Sequence, residues 1–139
     1  FILQEAHRQF IDDYAHHPEE MEVTIRTTKE LFPGKKITGV FQPHLYSRTQ
    51  THAKAFASVL SLLDEVILLD IYPAREAPIP GVTSQLILQE VKGTKASLVA
   101  YHQLTTYLAA INPEVLLTMG AGDIDKLIPQ IKERLKEIA

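Results

Sequence analysis

The stretch DDYAHHPEE, Asp12 to Glu20, sets two aspartates, a tyrosine and two histidines almost side by side. Such groups can ligate a metal, move protons, or bind the hydroxyls and carboxylates of a ligand. Metal ligation by His16 and His17 together fits poorly. The two are adjacent, and their spacing is not that of a helical pair. A bland reading also stands, in which an Asp ends a strand and a His caps a helix, with no function required. The functional reading has Asp13 accept hydrogen bonds from ligand hydroxyls while Tyr14 and His16 line a pocket.

FQPHLYSRTQTH, Phe41 to His52, is a second cluster. His44 and Arg48 fall between an apolar run and a helical pattern. A guanidinium binds a carboxylate as a bidentate fork, and a helix amino end starting near Thr49 would favour the same anion. Two other clusters are less reactive. YPAREAPIPG is stiffened by Pro73, Pro78 and Pro80, and its Arg75 and Glu76 can bind substrate or pair with each other. MGAGDI, Met119 to Ile124, has glycines that let backbone N–H groups approach a ligand. Neither G-x-x-x-x-G-K-[ST] nor G-x-G-x-x-G occurs, so the chain has no recognisable triphosphate cradle of its own. His52 and His102 read as surface or packing histidines.

These clusters need elements to hold them. Residues 1–13 read as one or two strands with a hairpin through Ala6–Arg8. Residues 18–32 read as an amphipathic helix with Met21, Ile25, Thr28 and Phe32 on one face and Pro18 in its first turn. A strand over 37–42, a helix over 49–63 capped by Thr49 or Thr51, and a buried strand over 65–72 follow. A short helix over 83–91 comes next. A strand, a helix, a strand and a last helix, at 96–101, 105–111, 114–120 and 123–138, end the pattern, with Pro129 expected to bend the last helix. Strand–helix alternation implies an α/β fold: a doubly wound, mostly parallel sheet of about six strands with helices on both faces. Ligands of such sheets bind beyond the carboxyl ends of the strands. The clusters all follow strands, so they should meet on one rim.

Bulk composition narrows the classes. The chain has 139 residues, enough for one domain with one substantial core, at 45% hydrophobic and 22% charged. A net charge of −3 with scattered Lys and Arg argues against nucleic acid as a partner. No cysteine is present, which excludes disulfides and thiolate metal sites and is compatible with a reducing cytoplasm. No apolar run is long enough to span a membrane. The chain opens on Phe1 rather than Met, which suggests a piece of something longer.

DDYAHHPEE, FQPHLYSRT, YPAREAPIPG and TMGAGDI, in that order, resemble the carboxy-terminal domain of the Mur ligases over essentially residues 1–139. Within that family they are most similar to the branch that adds L-alanine to UDP-N-acetylmuramate. The resemblance implies a Rossmann-like third domain that closes over a central ATP-binding domain, with the UDP-sugar and ATPase domains outside this chain. It implies ATP and Mg²⁺, held mainly by the central domain, and an acyl-phosphate on the sugar's lactyl carboxylate. The amine of L-alanine then attacks, in peptidoglycan precursor synthesis in a bacterial cytoplasm. By position, Asp13 matches a nucleotide contact. Tyr14, His16 and His17 match the pocket of the incoming amino acid, with His16 and His17 as the groups able to relay the amine proton. His44 and Arg48 match the loop that reads its carboxylate. The isolated fragment is expected to be inactive.

Two positions depart from the family pattern. Leu45 stands where the family often has Arg, and Arg75 stands where it has Gly, which suggests Arg75 as a compensating contact to alanine. Three rival readings remain: a ligase recycling murein tripeptide onto the same sugar, a phospho-acceptor signalling domain using Asp12, Asp13 and Asp70, and an inert interaction module. The signalling reading lacks the lysine such domains carry after a late strand.

Overall fold

The computed structural model describes residues 1–138. Six strands form one sheet in the order β1-β2-β6-β3-β4-β5, parallel except for the antiparallel β1. They are β1 (Leu3–Gln4), β2 (Gln9–Asp13), β3 (Ile37–Phe41), β4 (Glu65–Leu68), β5 (Lys95–Leu98) and β6 (Val115–Met119). The helices are α1 (Pro18–Leu31), α2 (Tyr46–Leu60), α3 (Gln85–Leu88), α4 (Leu104–Ile111) and α5 (Ile128–Lys136). The doubly wound α/β expectation therefore holds.

Strand alternation builds two cores. Phe41, Leu68 and Leu117 face α1 and α2, against Met21, Ile25, Phe56 and Leu60. Their neighbours Val40, Ile67 and Leu116 face α4 and α5, against Leu104, Leu108, Ile131 and Leu135. Adjacent residues point to opposite faces of a strand, so runs apolar at every position require helices on both sides. Each fully buried Leu, Ile or Phe contributes about 1.5–3 kcal/mol. From β2 to β5 the chain steps across the sheet with its helices on one face. It then returns through α4 on the other face to insert β6 between β2 and β3. That return is the topological switch, and the carboxyl ends of β2, β6 and β3 border it.

The β1–β2 turn is tied down by a buried arginine. Arg8 donates to the Leu135 carbonyl at 2.7 Å, in the last turn of α5, and to Asn112 Oδ1 in the α4–β6 connection. A cation at a helix carboxyl end meets carbonyls that lack intrahelical partners.

Four local expectations are corrected. α2 starts at Tyr46, not near Thr49, and Thr49 is a buried helical residue whose hydroxyl donates to the Leu45 carbonyl at 2.9 Å. α3 is only Gln85–Leu88, because flanking residues form single turns. Tyr101 opens a short 3-10 turn rather than ending β5. Pro129 lies in the first turn of α5, after a 3-10 segment at Asp123–Leu127, so it starts that helix instead of bending it. Among the described residues no helix is long and apolar enough to cross a membrane.

Candidate functional site

The carboxyl ends of β2, β3, β4 and β6 bring the four motifs to one rim. Asp13 is the last residue of β2. Its carboxylate is already engaged: Oδ1 accepts the Ala15 N–H at 2.8 Å and Oδ2 accepts the Thr24 hydroxyl at 3.2 Å. A carboxylate has about four acceptor positions, so Asp13 can brace the β2–α1 loop and still accept from a ligand hydroxyl. Its neighbour Asp12 points to the other sheet face and accepts the Thr118 hydroxyl at 2.6 Å. Burial pushes the Asp12 carboxyl above its usual range, against the Thr118 hydrogen bond, and the charges of Asp13 and Asp125 add to the push.

Beyond Asp13 the chain turns into α1. Tyr14 is 67% exposed, so it lines no pocket within this chain and is free to meet a ligand or another domain. His17 occupies the N-cap position of α1. Glu20, three residues on, reaches back to accept the His16 N–H at 3.3 Å and the His17 N–H at 3.2 Å. Those bonds, His16 first, hold the Glu20 carboxyl below its ordinary value. The bland role, a His at a helix cap, is therefore real for His17. His16 turns inward. Its Nδ1 lies 3.0 Å from the Tyr14 carbonyl and its ring is 6.0 Å from that of His44. A carbonyl only accepts, so the Nδ1 carries a proton, and in the neutral form of the ring the lone pair sits on Nε2.

The His44 loop is zipped to the loop after β4. A parallel bridge joins His44 to Tyr72, with Leu45 N–H donating to the Tyr72 carbonyl at 2.9 Å and Tyr72 N–H to the Pro43 carbonyl at 2.8 Å. The His44 and Tyr72 rings stack at 5.7 Å and 13°. Arg48, in the first turn of α2, places its guanidinium 3.2 Å from His44 Nδ1. A guanidinium only donates, so His44 Nδ1 is the acceptor and the proton of the neutral ring sits on Nε2. Burial lowers the pKa of His44, helped by the charges of Arg48 and His16 and opposed by Glu76. In their neutral forms His16 and His44 face each other as opposite tautomers, one offering a lone pair and the other an N–H.

Sequence reasoning missed the contacts of three residues, although it singled out Glu76 as able to bind substrate or pair with Arg75. Glu76 accepts the Ser47 N–H at 2.9 Å and the Ser47 hydroxyl, and so occupies the amino end of α2. These bonds, the hydroxyl first, hold its carboxyl below the ordinary value. The helix end expected to welcome a ligand carboxylate is therefore already filled. Arg75 is exposed and Glu76 binds Ser47 rather than Arg75. Gln42 is buried and clamps the glycine-rich loop, donating to Asp123 Oδ1 at 2.6 Å and accepting the Ile124 N–H at 2.9 Å. Tyr72 is the third. A Cβ on Gly122 would stand 2.5 Å from Gln42 Oε1 and 2.6 Å from Tyr72 Cγ. The glycines serve close packing within the protein, not a phosphate cradle. No local pattern foretold these long-range contacts.

Among the described residues no group of three His, Asp or Glu side chains could hold a metal ion. With no phosphate loop and with the glycines packed, the chain does not fit a Mg²⁺–triphosphate by itself. The signalling reading also fails on geometry. Asp70 follows β4, and β6 and β3 separate that strand from the acids of β2, about 14 Å at ordinary strand spacing.

Similar proteins agree with this arrangement. The family model described as Mur ligase, glutamate ligase domain, matches residues 1–124. A Porphyromonas gingivalis protein named UDP-N-acetylmuramate–L-alanine ligase is 52% identical over 138 residues, covering 99% of this chain and 30% of that protein. The crystal structure of a UDP-N-acetylmuramate–alanine ligase from Thermotoga maritima superposes with a TM-score of 0.67 at 29% identity, over 94% of this chain and 27% of that one. A domain attributed to a UDP-N-acetylmuramate:L-alanyl-γ-D-glutamyl-meso-diaminopimelate ligase of Haemophilus ducreyi shares the fold, with a TM-score of 0.67 at 19% identity, over 91% of this chain and 89% of that one.

Proposed function

We propose that this chain, which belongs to the Mur ligase family and corresponds to its carboxy-terminal domain, supplies the amino-acid side of an ATP-dependent ligase joining L-alanine to UDP-N-acetylmuramate. The observation that carries the reading is the Arg48–His44 pair beside His16 at the switch-point rim. The chain spans 30% of the Porphyromonas relative, so ATP, Mg²⁺ and the UDP-sugar are assigned mainly to the remainder of the full-length protein. Bound ATP and Mg²⁺ would supply activation of the sugar's lactyl carboxylate as an acyl-phosphate.

The residues of this chain do the rest. Arg48 forks onto the alanine carboxylate and the Nε2–H of His44 adds a donor. Arg75, exposed on the neighbouring loop, is the remaining cation able to contact that carboxylate. Tyr14 and His16 flank the small side chain. Alanine arrives as an ammonium and must lose a proton before its nitrogen attacks. We assign that proton to the Nε2 of His16 in its neutral form, with His17 as the adjacent relay group. Attack forms the amide and expels phosphate. Asp13 meets a nucleotide hydroxyl with the acceptor capacity that Ala15 and Thr24 leave it. A rim this open needs a second domain closing over it, since an acyl-phosphate hydrolyses where water enters. We place the ligase in the bacterial cytoplasm, where its nucleotide substrates are found.

Two substitutions in the full-length protein test the assignment. Arg48→Ala should raise KM for L-alanine at least tenfold and leave KM for ATP within about twofold, as expected for loss of a charged fork. Asp13→Ala should shift KM for ATP instead. The opposite pattern, or no effect of either, counts against the reading.

A further inference from the structure

The amino end of α2 has no cap of its own. The N-cap residue is Leu45, whose side chain cannot accept a hydrogen bond, and no acid stands in the first turn. Leu45 is also strained, with φ 74° in a region that L-residues other than Asn, Asp and Gly avoid. An uncapped helix start on a strained residue would fray, and Arg48 sits in that same turn. What holds it comes from elsewhere. Glu76, 29 residues along, accepts both the N–H and the hydroxyl of Ser47. The bridge between His44 and Tyr72 brings the Glu76 loop to the helix start. A turn from the Glu76 N–H to the Pro73 carbonyl, at 2.9 Å, shapes that loop.

We infer that Glu76 is a positioning residue for amino-acid recognition: it caps α2 from a separate loop and thereby fixes Arg48 on His44 Nδ1, so that His44 presents a neutral Nε2–H to the cleft. The inference deepens the proposed function and rests on it for the identity of the ligand. Arg48 on α2 donates to Nδ1, Tyr72 stacks on the ring and His16 stands on the β2–α1 loop. The Glu76 charge itself raises the His44 pKa, so Glu76 favours the neutral ring through the place it gives Arg48 and not through its own charge. Glu76 also decides what the helix end can do. With its carboxylate in place, the dipole of α2 is spent on the protein, and the substrate carboxylate must be read by side chains.

The test uses the full-length ligase with Glu76→Ala, Glu76→Gln and Ser47→Ala, and ¹⁵N-histidine NMR of the same proteins. Glu76→Ala should raise KM for L-alanine about tenfold, the scale of losing a helix cap plus part of the Arg48 fork. KM for ATP and for the UDP-sugar should stay within about twofold and kcat within about threefold. Glu76→Gln keeps an acceptor and should show a smaller rise. Because Glu76 acts through Ser47, the double variant Ser47→Ala/Glu76→Ala should cost no more than Glu76→Ala alone. The His44 ring should give the signature of an Nε2–H tautomer in the parent and an exchange-averaged signature in Glu76→Ala. An unchanged KM for alanine, an equal loss for all three substrates, or an unaltered His44 tautomer would overturn the inference. If the parent enzyme shows no alanine-dependent turnover, the proposed function fails instead, and the NMR comparison still decides the role of Glu76.

Discussion

The guanidinium of Arg48 donates to Nδ1 of His44 across 3.2 Å, so a permanent cation depends on its neighbour remaining neutral. The folded protein holds the His44 pKa below the 6.5 of a free histidine, first by burial and then by the Arg48 charge. As pH falls through about 6.5, the unfolded chain binds this proton before the folded one does. Stability should therefore drop between about 6.5 and the folded pKa, and be independent of this group above that window. Urea unfolding of parent and His44→Gln across pH 5 to 8 checks it. The stability difference between them should change with pH only in the acid part of the range. A constant difference would contradict the assigned neutral state.

Gly122 separates packing from ligand binding. A methyl group there meets Gln42 Oε1 and the Cγ and Cβ of Tyr72 at 2.5–2.7 Å. Gly122→Ala should destabilise the domain by about 1–3 kcal/mol, the usual cost of overpacking. Thermal unfolding measures it, and a change below about 0.5 kcal/mol would mean that the loop moves freely away from Gln42.

Asp12 carries a cost. Its folded pKa is raised from 3.8, mainly by burial, so its charged form weakens the native state at pH values above 3.8. Asp12→Asn keeps an acceptor for the Thr118 hydroxyl and removes the charge. It should raise Tm at pH 7, by about 1–3 °C for a chain of this size. The gain should vanish below about pH 3.8, where Asp12 is protonated in both states. A lowered Tm at neutral pH would assign Asp12 a stabilising partner.

Arg8 should be among the residues most sensitive to truncation. Its buried guanidinium joins the β1–β2 turn to Asn112 and to the last turn of α5. Arg8→Ala leaves the Leu135 carbonyl and Asn112 Oδ1 without this donor, and the expected loss is about 1–3 kcal/mol. Denaturant unfolding reads it directly. A loss under about 1 kcal/mol would show that water replaces the guanidinium.

Periodicity carries information about faces, and here it revealed both cores. Met21, Ile25 and Thr28 bury the predicted side of α1, and the apolar centre of β4 is covered on both sides, as are the buried strands β3 and β6. The rule that ligands gather at strand ends then located the rim. It could not reveal what each rim residue touches. Glu76 finds Ser47 across 29 positions, and Gln42 finds Asp123 and Ile124 across more than 80. Those partners come from strand order, which a single chain's hydropathy does not encode. Helix starts failed for a related reason. Thr49 looks like a cap because it can accept a hydrogen bond, but the cap of α2 is an acid from another loop.

The proposed function stands on receipt of L-alanine at this rim. The most direct measurement is phosphate release by the full-length protein with ATP, Mg²⁺ and UDP-N-acetylmuramate, with L-alanine compared against murein tripeptide as the amine donor. Release should depend on L-alanine, fall sharply in Arg48→Ala, and be negligible with tripeptide. Tripeptide-dependent release, or L-alanine-dependent release indifferent to Arg48, would contradict it.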